Sequence, residues 1–480
     1  MDENLKNTAA KGLFWGGISN VTQQLLNLCF GIFLARLLDV SDYGMVGMLT
    51  IFSALANAIQ EGGFRSAITN KKDVTDTDYN AVFWTSSGIG VLLYLTLFFT
   101  VPYIADFYNT PELVGLGRFM FLSFLFSSLG TAHNAYLFKN LKVKEMSKST
   151  LTASLISGIV ALTMAFNGLA YWGIAAMNVV YVFVTTVMFW FFSLFRPSFN
   201  ISLKPVVEML PFSIKLLITI IFQILNDNFF NVLLGRFYSK HDVGIYTQAY
   251  KWTNIGTQTI SLAIENVMQP VLAKSDKSRL LQVFNKLMQT TVFISFPCMF
   301  GLGLIAPEFI EITIENKWAE SADLMTILCI WGGFFPFAKL FQKQILSSGQ
   351  SGALMFCVIV TCILQIIVVC FSFEYGIKVM TSIYVAVNLL CMGFLYYFVH
   401  RINGVTIKDI FVNIMPFFVS VLIALFAAYF ASSVFSNIYV KLVIKIIVTA
   451  SVYFLMLKLM KSVVLTESLE FVKSLIVKKK

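Results

Sequence analysis

Charged side chains are scarce in this chain. Asp, Glu, Lys and Arg make up only 12% of its 480 residues, whereas ordinary soluble domains carry about 25%. A soluble chain of this length would need far more charge on its surface. The composition therefore excludes an ordinary soluble protein and indicates a membrane protein.

Residues and motifs that carry enzyme chemistry are also few. The three histidines, His133, His241 and His400, have no metal-ligand spacing, and the sequence contains no glycine-rich phosphate loop and no G-x-S-x-G motif. The joints between apolar runs are short, so no large loop is left to carry a glycosyltransferase or polymerase site. We therefore expect a protein that is not an enzyme and that has no cofactor or metal.

Cysteine use excludes a second group of proteins. All seven cysteines fall within apolar runs, and no C-x-x-C pair occurs. A cysteine in that setting behaves as a small hydrophobic residue. Disulfide frameworks and zinc centres are therefore not expected.

Long apolar runs dominate what the sequence does contain. Hydrophobic residues make up 58% of the chain, and its mean hydropathy is +0.78. About fourteen runs approach the length of about 20 residues that an α-helix needs to cross a bilayer. We predict an all-α, polytopic membrane protein. The net charge of +10 is spread over the joints between these runs, so we expect no nucleic-acid partner.

An internal repeat divides these runs. The segment Ala35–Gly44, between the first two runs, matches Gly235–Gly244 in the spacing of its Arg, Asp and Gly residues. A repeat of about 200 residues is too long for a solenoid unit and is typical of transporters built from two similar lobes. We predict an N-terminal lobe at 1–198 with spans 1–6, a C-terminal lobe at 199–402 with spans 7–12, and spans 13 and 14 with a basic tail at 403–480.

Positive charge is distributed unevenly between the two sides of the predicted spans. With a cytoplasmic N-terminus, most of the 35 Lys and Arg residues fall in or beside cytoplasmic joints. The positive-inside rule then predicts that both termini are cytoplasmic. The basic residues in the opposite joints are Arg36, Arg236, Lys240, Lys317 and Lys378.

Three stretches resemble the polysaccharide transport family. They are Gly12–Trp15 at the opening of the first span, Leu34–Leu38 followed by Asp42–Gly44, and the basic stretch Phe138–Lys148 after span four. This family holds bacterial flippases and shares a superfamily with multidrug and toxic compound extrusion pumps and lipid II flippases. The resemblance covers essentially the whole chain. It implies two six-helix lobes in a V around a central cavity, with two peripheral C-terminal helices.

The resemblance also implies a function in the bacterial inner membrane. The expected substrate is an undecaprenyl-diphosphate-linked oligosaccharide, moved by alternating access from the cytoplasmic to the periplasmic leaflet for O-antigen, capsule or exopolysaccharide synthesis. Expected partners are this lipid-linked oligosaccharide, membrane lipids, a polysaccharide polymerase and other glycan-assembly proteins. Two alternatives stay open: an ion-coupled exporter of small molecules or drugs with the same fold, and a scaffold of a glycan-assembly complex that transports nothing.

Cations inside the apolar spans are the candidates for binding a diphosphate. A charge at the centre of a bilayer costs about 2.5 to 3.5 kcal/mol on insertion scales, and a topology anchor would not need one there. The competing explanation is that the long side chains reach back to the nearest interface. The predicted cationic substrate-binding residues are Lys215, Lys251, Lys339, Lys343, Arg65 and Arg118.

Three acidic residues are candidates for ion coupling or gating. Asp227 lies inside the unusually polar span seven, where we expect it to pair with Lys251 or to take up a coupling proton or sodium ion. Satisfaction by neighbouring asparagines is the alternative. Glu61 and Glu265 lie at equivalent cytoplasmic ends in the repeat and are predicted to close an inner gate.

The repeated joint itself is predicted to be a clasp between paired helices. An Arg and an Asp six residues apart can hold a tight turn, with an outer gate as the alternative role, and the glycines that follow allow close approach. Pro297, Gly332–Gly333 and Pro336 are predicted to interrupt helices and to act as bending points. The clasp residues are Arg36, Asp42, Arg236 and Asp242.

Overall fold

The computed structural model describes residues 3–61, 68, 71, 73–199, 204–274 and 280–477, and within them the chain is helical with no strand. Two single 3₁₀ turns, Asn316–Trp318 and Phe373–Tyr375, join helices. The α-helices are α1 (Glu3–Leu37), α2 (Val40–Glu61), α3 (Asp76–Phe107), α4 (Leu113–Met120), α5 (Leu122–Lys139), α6 (Val143–Phe166), α7 (Ala170–Phe192), α8 (Lys204–Phe237), α9 (Lys240–Lys274), α10 (Leu280–Ile314), α11 (Ala319–Ser347), α12 (Ser351–Ser372), α13 (Ile377–Asn403), α14 (Ile407–Ser433), α15 (Ile438–Leu459) and α16 (Val463–Val477).

These helices have the length and surface of membrane spans. Eleven helical segments of the described chain are long and apolar enough to cross a bilayer, and α2 adds a shorter apolar stretch. Large apolar side chains such as Phe99, Phe191 and Leu390 are mostly exposed. Exposing so much apolar surface to water is unfavourable, whereas contact with lipid hydrocarbon is not. The prediction of an all-α, multi-pass membrane protein is confirmed, and the expected number of about fourteen spans is consistent with these helices.

Short caps and turns fix where several helices start. Thr406 and Asp409 form a reciprocal capping box at the start of α14, and Asn437 accepts two backbone N–H groups at the start of α15. The hairpin between α6 and α7 turns at Gly168, whose φ of +75° is in the region that glycine adopts without strain. Tight turns of this kind place successive helices side by side.

The chain packs into two compact units, residues 1–244 and 245–480. In the first unit, α6 pairs with α7 and with α1, α3 pairs with α5, and α8 lies against α2 and α3. Gly158 lets α1 approach α6, because a Cβ there would lie 2.4 Å from the ring of Phe30. A buried aromatic core that includes Phe83 and Phe195 lies between α3, α5 and the segment that follows α7.

The second unit is built around the pair α10 and α11. The hairpin of α14 and α15 packs on α10, while α13 packs on α11 and α12. Its core is rich in phenylalanine, with Phe296, Phe337 and Phe341 buried. Gly333 brings α10 and α11 together, since a Cβ there would lie 2.5 Å from the ring of Phe300.

Packing places the division of the chain after Gly244, because α8 lies against α2 and α3 in the first unit. The lobe boundary between 198 and 199 was derived from the sequence repeat and stays a prediction. The predicted interruptions at Pro297 and Pro336 are wrong at the level of the backbone, because α10 and α11 run through both prolines as continuous helices.

Candidate functional site

Arg118 lies in the first unit on the short helix α4. Its guanidinium carbon is 4.2 Å from the centre of the Phe98 ring, a cation–π arrangement. The side chain is half-buried, and its Nε is buried without a hydrogen-bond partner. An arginine held by its face on a ring, with an N–H group unused, retains hydrogen-bonding capacity for an anion.

Lys251 lies in the interior of helix α9. It follows the start of α9 by eleven residues, which places it about 16 Å along the helix. The side chain is half-buried, and its Nζ lies 5.8 Å from the Trp252 ring. This depth is beyond the first turns of α9, where a topology anchor is expected.

Lys339 and Lys343 lie one turn apart on α11, so they share a face of that helix. Both are half-buried, and the Lys339 Nζ lies 5.1 Å from the Phe335 ring. Helix α11 is also packed to α9 through small residues, since a Cβ on Gly332 would lie 3.2 Å from Thr257 Oγ1. The second unit thus carries its three described candidates on two helices that touch.

The side chains of the other charged residues predicted for substrate binding and ion coupling are not described by the structure. Arg65 lies in a segment that is not described at all. For four further residues the helix is described but the side chain is not. These residues are Lys215, Asp227, Glu61 and Glu265.

The aspartates of the predicted clasp lie in the first turns of α2 and α9 and accept hydrogen bonds from the residue before each helix. Asp42 accepts the backbone N–H of Asp39 at 3.0 Å. Asp242 accepts the backbone N–H of Ser239 at 3.1 Å and its hydroxyl at 2.6 Å, while the Ser239 Oγ accepts the N–H of Asp242. Such reciprocal bonds fix the direction in which α2 and α9 leave their turns.

The helix starts that these caps orient touch each other at two glycines, a contact that we call the glycine crossing and define by Val40, Gly44, Lys240 and Gly244. A Cβ added to Gly44 would lie 1.8 Å from the Lys240 carbonyl oxygen, and one added to Gly244 would lie 2.0 Å from that of Val40. The close approach expected from the sequence at these glycines is therefore confirmed, and it is reciprocal.

Two further polar contacts in the first unit join the α8–α9 turn to the segment between α3 and α4. Arg236 donates a 2.7 Å hydrogen bond to the Phe107 carbonyl oxygen, and its guanidinium lies 5.2 Å from the Phe107 ring. Lys240 pairs with Glu112 at 3.4 Å. The pKa of Glu112 is lowered by a hydrogen bond from its own backbone amide and by the hydrogen bond from Lys240, which keeps the pair ionised.

Sequence reasoning assigned no role to the most buried ion pair of the described chain. Lys445 of α15 contacts Glu308 of α10 at 2.6 Å, with both side chains less than a tenth exposed, and it also donates to the Leu304 carbonyl oxygen. The second carboxylate oxygen of Glu308 is buried without a hydrogen-bond partner. The sequence shows both charges within apolar runs. No local sequence pattern indicates that Glu308 and Lys445, which are 137 positions apart, form a pair.

Comparison with known families and proteins gives one consistent result. A family profile described as "Polysaccharide biosynthesis protein" matches residues 33–323. The lipopolysaccharide biosynthesis protein WzxC of Escherichia coli (strain K12) is 24% identical over 337 residues, which is 68% of this chain and 68% of WzxC. The succinoglycan biosynthesis transport protein ExoT of Rhizobium meliloti (strain 1021) is 22% identical over 423 residues, covering 87% of this chain and 85% of ExoT.

Among solved structures, the lipid II flippase MurJ in an inward closed conformation is similar in fold. It has a TM-score of 0.78 and 16% identity, and the match covers 93% of this chain and 98% of MurJ. At this identity the likeness establishes the fold and leaves residue roles to be argued from this chain.

Proposed function

The chain belongs to the polysaccharide biosynthesis protein family, and on that premise we propose that it is a flippase for a lipid-linked oligosaccharide. It moves an undecaprenyl-diphosphate-linked oligosaccharide from the cytoplasmic to the periplasmic leaflet of the bacterial inner membrane. The product serves the synthesis of O-antigen, capsule or exopolysaccharide. Both termini are cytoplasmic in this proposal, and the protein moves its substrate without altering its covalent bonds.

The observation that carries the proposal is a set of half-buried cations on the helices of a membrane protein. Lys251 lies about 16 Å along α9, and Lys339 and Arg118 lie on other helices with their charges close to aromatic rings. Burying a cation in a membrane protein costs free energy. Binding a diphosphate offsets that cost, because lysine and arginine form charged hydrogen bonds with its negative oxygens.

Substrate movement proceeds by alternating access. Lys251, Lys339 and Lys343 of the second unit bind the diphosphate, while the polyprenyl tail stays in lipid. Arg118 of the first unit is a further candidate for binding this anion. In this proposal the glycine crossing acts as the gate at the periplasmic end. Release requires that the starts of α2 and α9 separate, so that the head group leaves on the periplasmic side.

Ion coupling is part of the same proposal. Asp227 takes up a proton or a sodium ion, while Glu61 and Glu265 act at the cytoplasmic gate. Asp227→Asn tests the first assignment, since it removes the charge with little change in size. We expect transport into vesicles to lose its dependence on the proton or sodium gradient, and an unchanged dependence would remove Asp227 from this role.

The experiment that tests the proposed function is glycan export in a strain that lacks this chain. The strain is complemented at matched membrane levels with wild type, Lys251→Ala, Lys339→Ala, Arg118→Ala or the control Lys458→Ala, an exposed lysine in the last turn of α15. We expect each of the first three substitutions to lower export about tenfold, because a charged hydrogen bond contributes about 1.5 to 3 kcal/mol. The control keeps normal export.

The outcomes separate the alternatives. Lipid-linked oligosaccharide that accumulates on the cytoplasmic side supports the flippase. Normal export in the deletion strain, with no second flippase present, overturns it, and altered resistance to cationic drugs in that strain favours an exporter. Export that needs the chain but tolerates all three substitutions favours a scaffold for the polymerase and other glycan-assembly proteins.

A further inference from the structure

A cavity lies in the second unit where the first turns of α10 meet the start of α16. Its volume is about 330 Å³. Four polar residues at helical spacing on α10 form one wall, and the first turns of α16 form the other. The lining residues are Gln282, Asn285, Lys286, Gln289, Val463, Val464 and Glu467.

The cavity carries one charge of each sign. Lys286 Nζ lies 2.8 Å from a Glu467 carboxylate oxygen, and the two side chains are 61% and 47% exposed. Ion pairs as exposed as this contribute little to stability, because water screens them. Lys286 and Glu467 can therefore separate and each bind a charged group of a ligand, with little loss of stability.

The remaining polar groups favour a ligand with both a phosphate and a hydrogen-bond donor. Asn285 Oδ1 is a buried acceptor without a hydrogen-bond partner. Gln289 donates a 2.6 Å hydrogen bond to Asn413 Oδ1, which fixes its amide. Val463 and Val464 lie at the N-terminal end of α16, where free backbone N–H groups and the helix dipole attract an anion.

The position of the cavity agrees with the depth of a lipid headgroup. It lies at the start of α10, a helix long and apolar enough to cross the membrane, and at the start of α16, which follows the spanning helix α15 by a short turn. Val463, which is mostly exposed, adds an apolar surface at its rim. Phospholipid headgroups occupy this level of a bilayer.

We propose that this cavity binds one phospholipid whose headgroup carries both a phosphate and a primary ammonium, that is, phosphatidylethanolamine. Lys286 and the N-terminus of α16 bind the phosphate. Glu467 and the Asn285 Oδ1 accept hydrogen bonds from the ammonium. The Lys286–Glu467 ion pair closes the site when no lipid is bound.

The test is lipid binding to the purified full-length chain by native mass spectrometry. The probes are phosphatidylethanolamine, phosphatidylglycerol, which has no ammonium, and phosphatidylcholine, whose methylated ammonium cannot donate hydrogen bonds. We expect phosphatidylethanolamine to bind about tenfold more tightly than either of the others, as for the loss of one charged hydrogen bond.

Two substitutions locate the site. Glu467→Gln lowers phosphatidylethanolamine binding about tenfold and removes its advantage over phosphatidylglycerol, whereas Lys286→Gln weakens the binding of all three lipids. The matched control is Lys378→Gln with Asp323→Asn, which removes an ion pair of similar exposure, 59% and 53%, between α13 and α11. This control leaves lipid binding unchanged.

The proposal is overturned if phosphatidylcholine binds as tightly as phosphatidylethanolamine. It is equally overturned if Glu467→Gln leaves the preference over phosphatidylglycerol intact, or if the control weakens binding as much as Glu467→Gln does. Melting temperatures of all variants show that they are folded. The measurement uses no oligosaccharide, so its result is independent of the proposed transport activity.

Discussion

Replacement of Gly44 by alanine at the glycine crossing should open the contact between the starts of α2 and α9. The added Cβ would lie 1.8 Å from the Lys240 carbonyl oxygen, whereas a carbon and a carbonyl oxygen in contact are about 3.3 to 3.6 Å apart. The carbonyl oxygen belongs to the backbone and the Cβ is bonded directly to it, so no side-chain rotation can relieve the overlap. The two helix starts must therefore move apart by about 1.5 Å or more.

The size of the effect follows from the cost of overpacking. Extra atoms forced into a close contact cost about 1 to 3 kcal/mol. If the protein relieves that cost by opening, the ratio of open to closed forms rises by about 5- to 150-fold. Because the contact is reciprocal, Gly244→Ala should produce nearly the same shift. The double variant should then fall well short of the sum of the two single effects.

Crosslinking reports the shift through the position of the start of α9, which also contacts Glu112 in the segment before α4. Glu112 and Lys240, whose side chains lie 3.4 Å apart, are replaced by cysteine in a chain whose seven native cysteines are alanine. The yield with a short crosslinker should be high with Gly44 present and should fall severalfold in Gly44→Ala. With the proposed function, glycan export should fall in parallel, because the proposed outer gate can no longer close.

The control is Gly88→Ala, a glycine of α3 in the same unit with open space where its Cβ would be. It should leave both crosslinking and export unchanged. An equal crosslinking yield in Gly44→Ala and Gly88→Ala, with both proteins folded, would refute the interpretation of the crossing as a closure. A fully additive double variant would refute its reciprocity.

Three further outcomes concern stability, measured by thermal unfolding in detergent. Lys445→Met should destabilise the protein by about 3 to 5 kcal/mol because Glu308 loses its partner in a buried site, and Glu308→Leu combined with it should recover most of that loss. Gly158→Ala should cost about 1 to 3 kcal/mol through its clash with a ring of α1, whereas Gly301→Ala, with open space around it, should not destabilise. Thr406→Ala should cost about 1 kcal/mol by removing the cap of α14. The first estimate is contradicted if Lys445→Met is as stable as wild type. The second is contradicted if Gly301→Ala is destabilised as much as Gly158→Ala, and the third if Thr406→Ala unfolds at the wild-type temperature.

The class of fold and the crossing could be predicted from the sequence because both follow from local patterns. Apolar runs predict spans wherever they occur, and the repeated glycines at Gly44 and Gly244 indicate a close approach of two backbones. Pro297 misled the prediction, since α10 is continuous through it. A proline in a membrane helix removes one hydrogen bond, but neighbouring helices and local adjustments can compensate for that loss.

Pairings between distant helices could not be predicted in the same way. Glu308 and Lys445 each look like an isolated charge in an apolar run, and periodicity does not say which helix each one faces. The packing of α8 on α2 was hidden for the same reason, because the repeat assigns α8 to the other lobe. The cationic candidates could be named from depth and charge, but their aromatic neighbours Phe98 and Phe335 depend on tertiary contacts.

The Glu308–Lys445 pair also constrains the order in which the protein is made. During synthesis α10 enters the bilayer before α15, so the Glu308 carboxyl group first meets the lipid without its Lys445 partner. Lys445 follows with the hairpin of α14 and α15 and brings a cation that would cost about 2.5 to 3.5 kcal/mol at the bilayer centre. When the hairpin docks, the two groups neutralise each other. Docking of α14 and α15 is thus a late assembly step, and a ribosome-released chain that fails it would present an unpaired charge in the membrane to quality-control proteases.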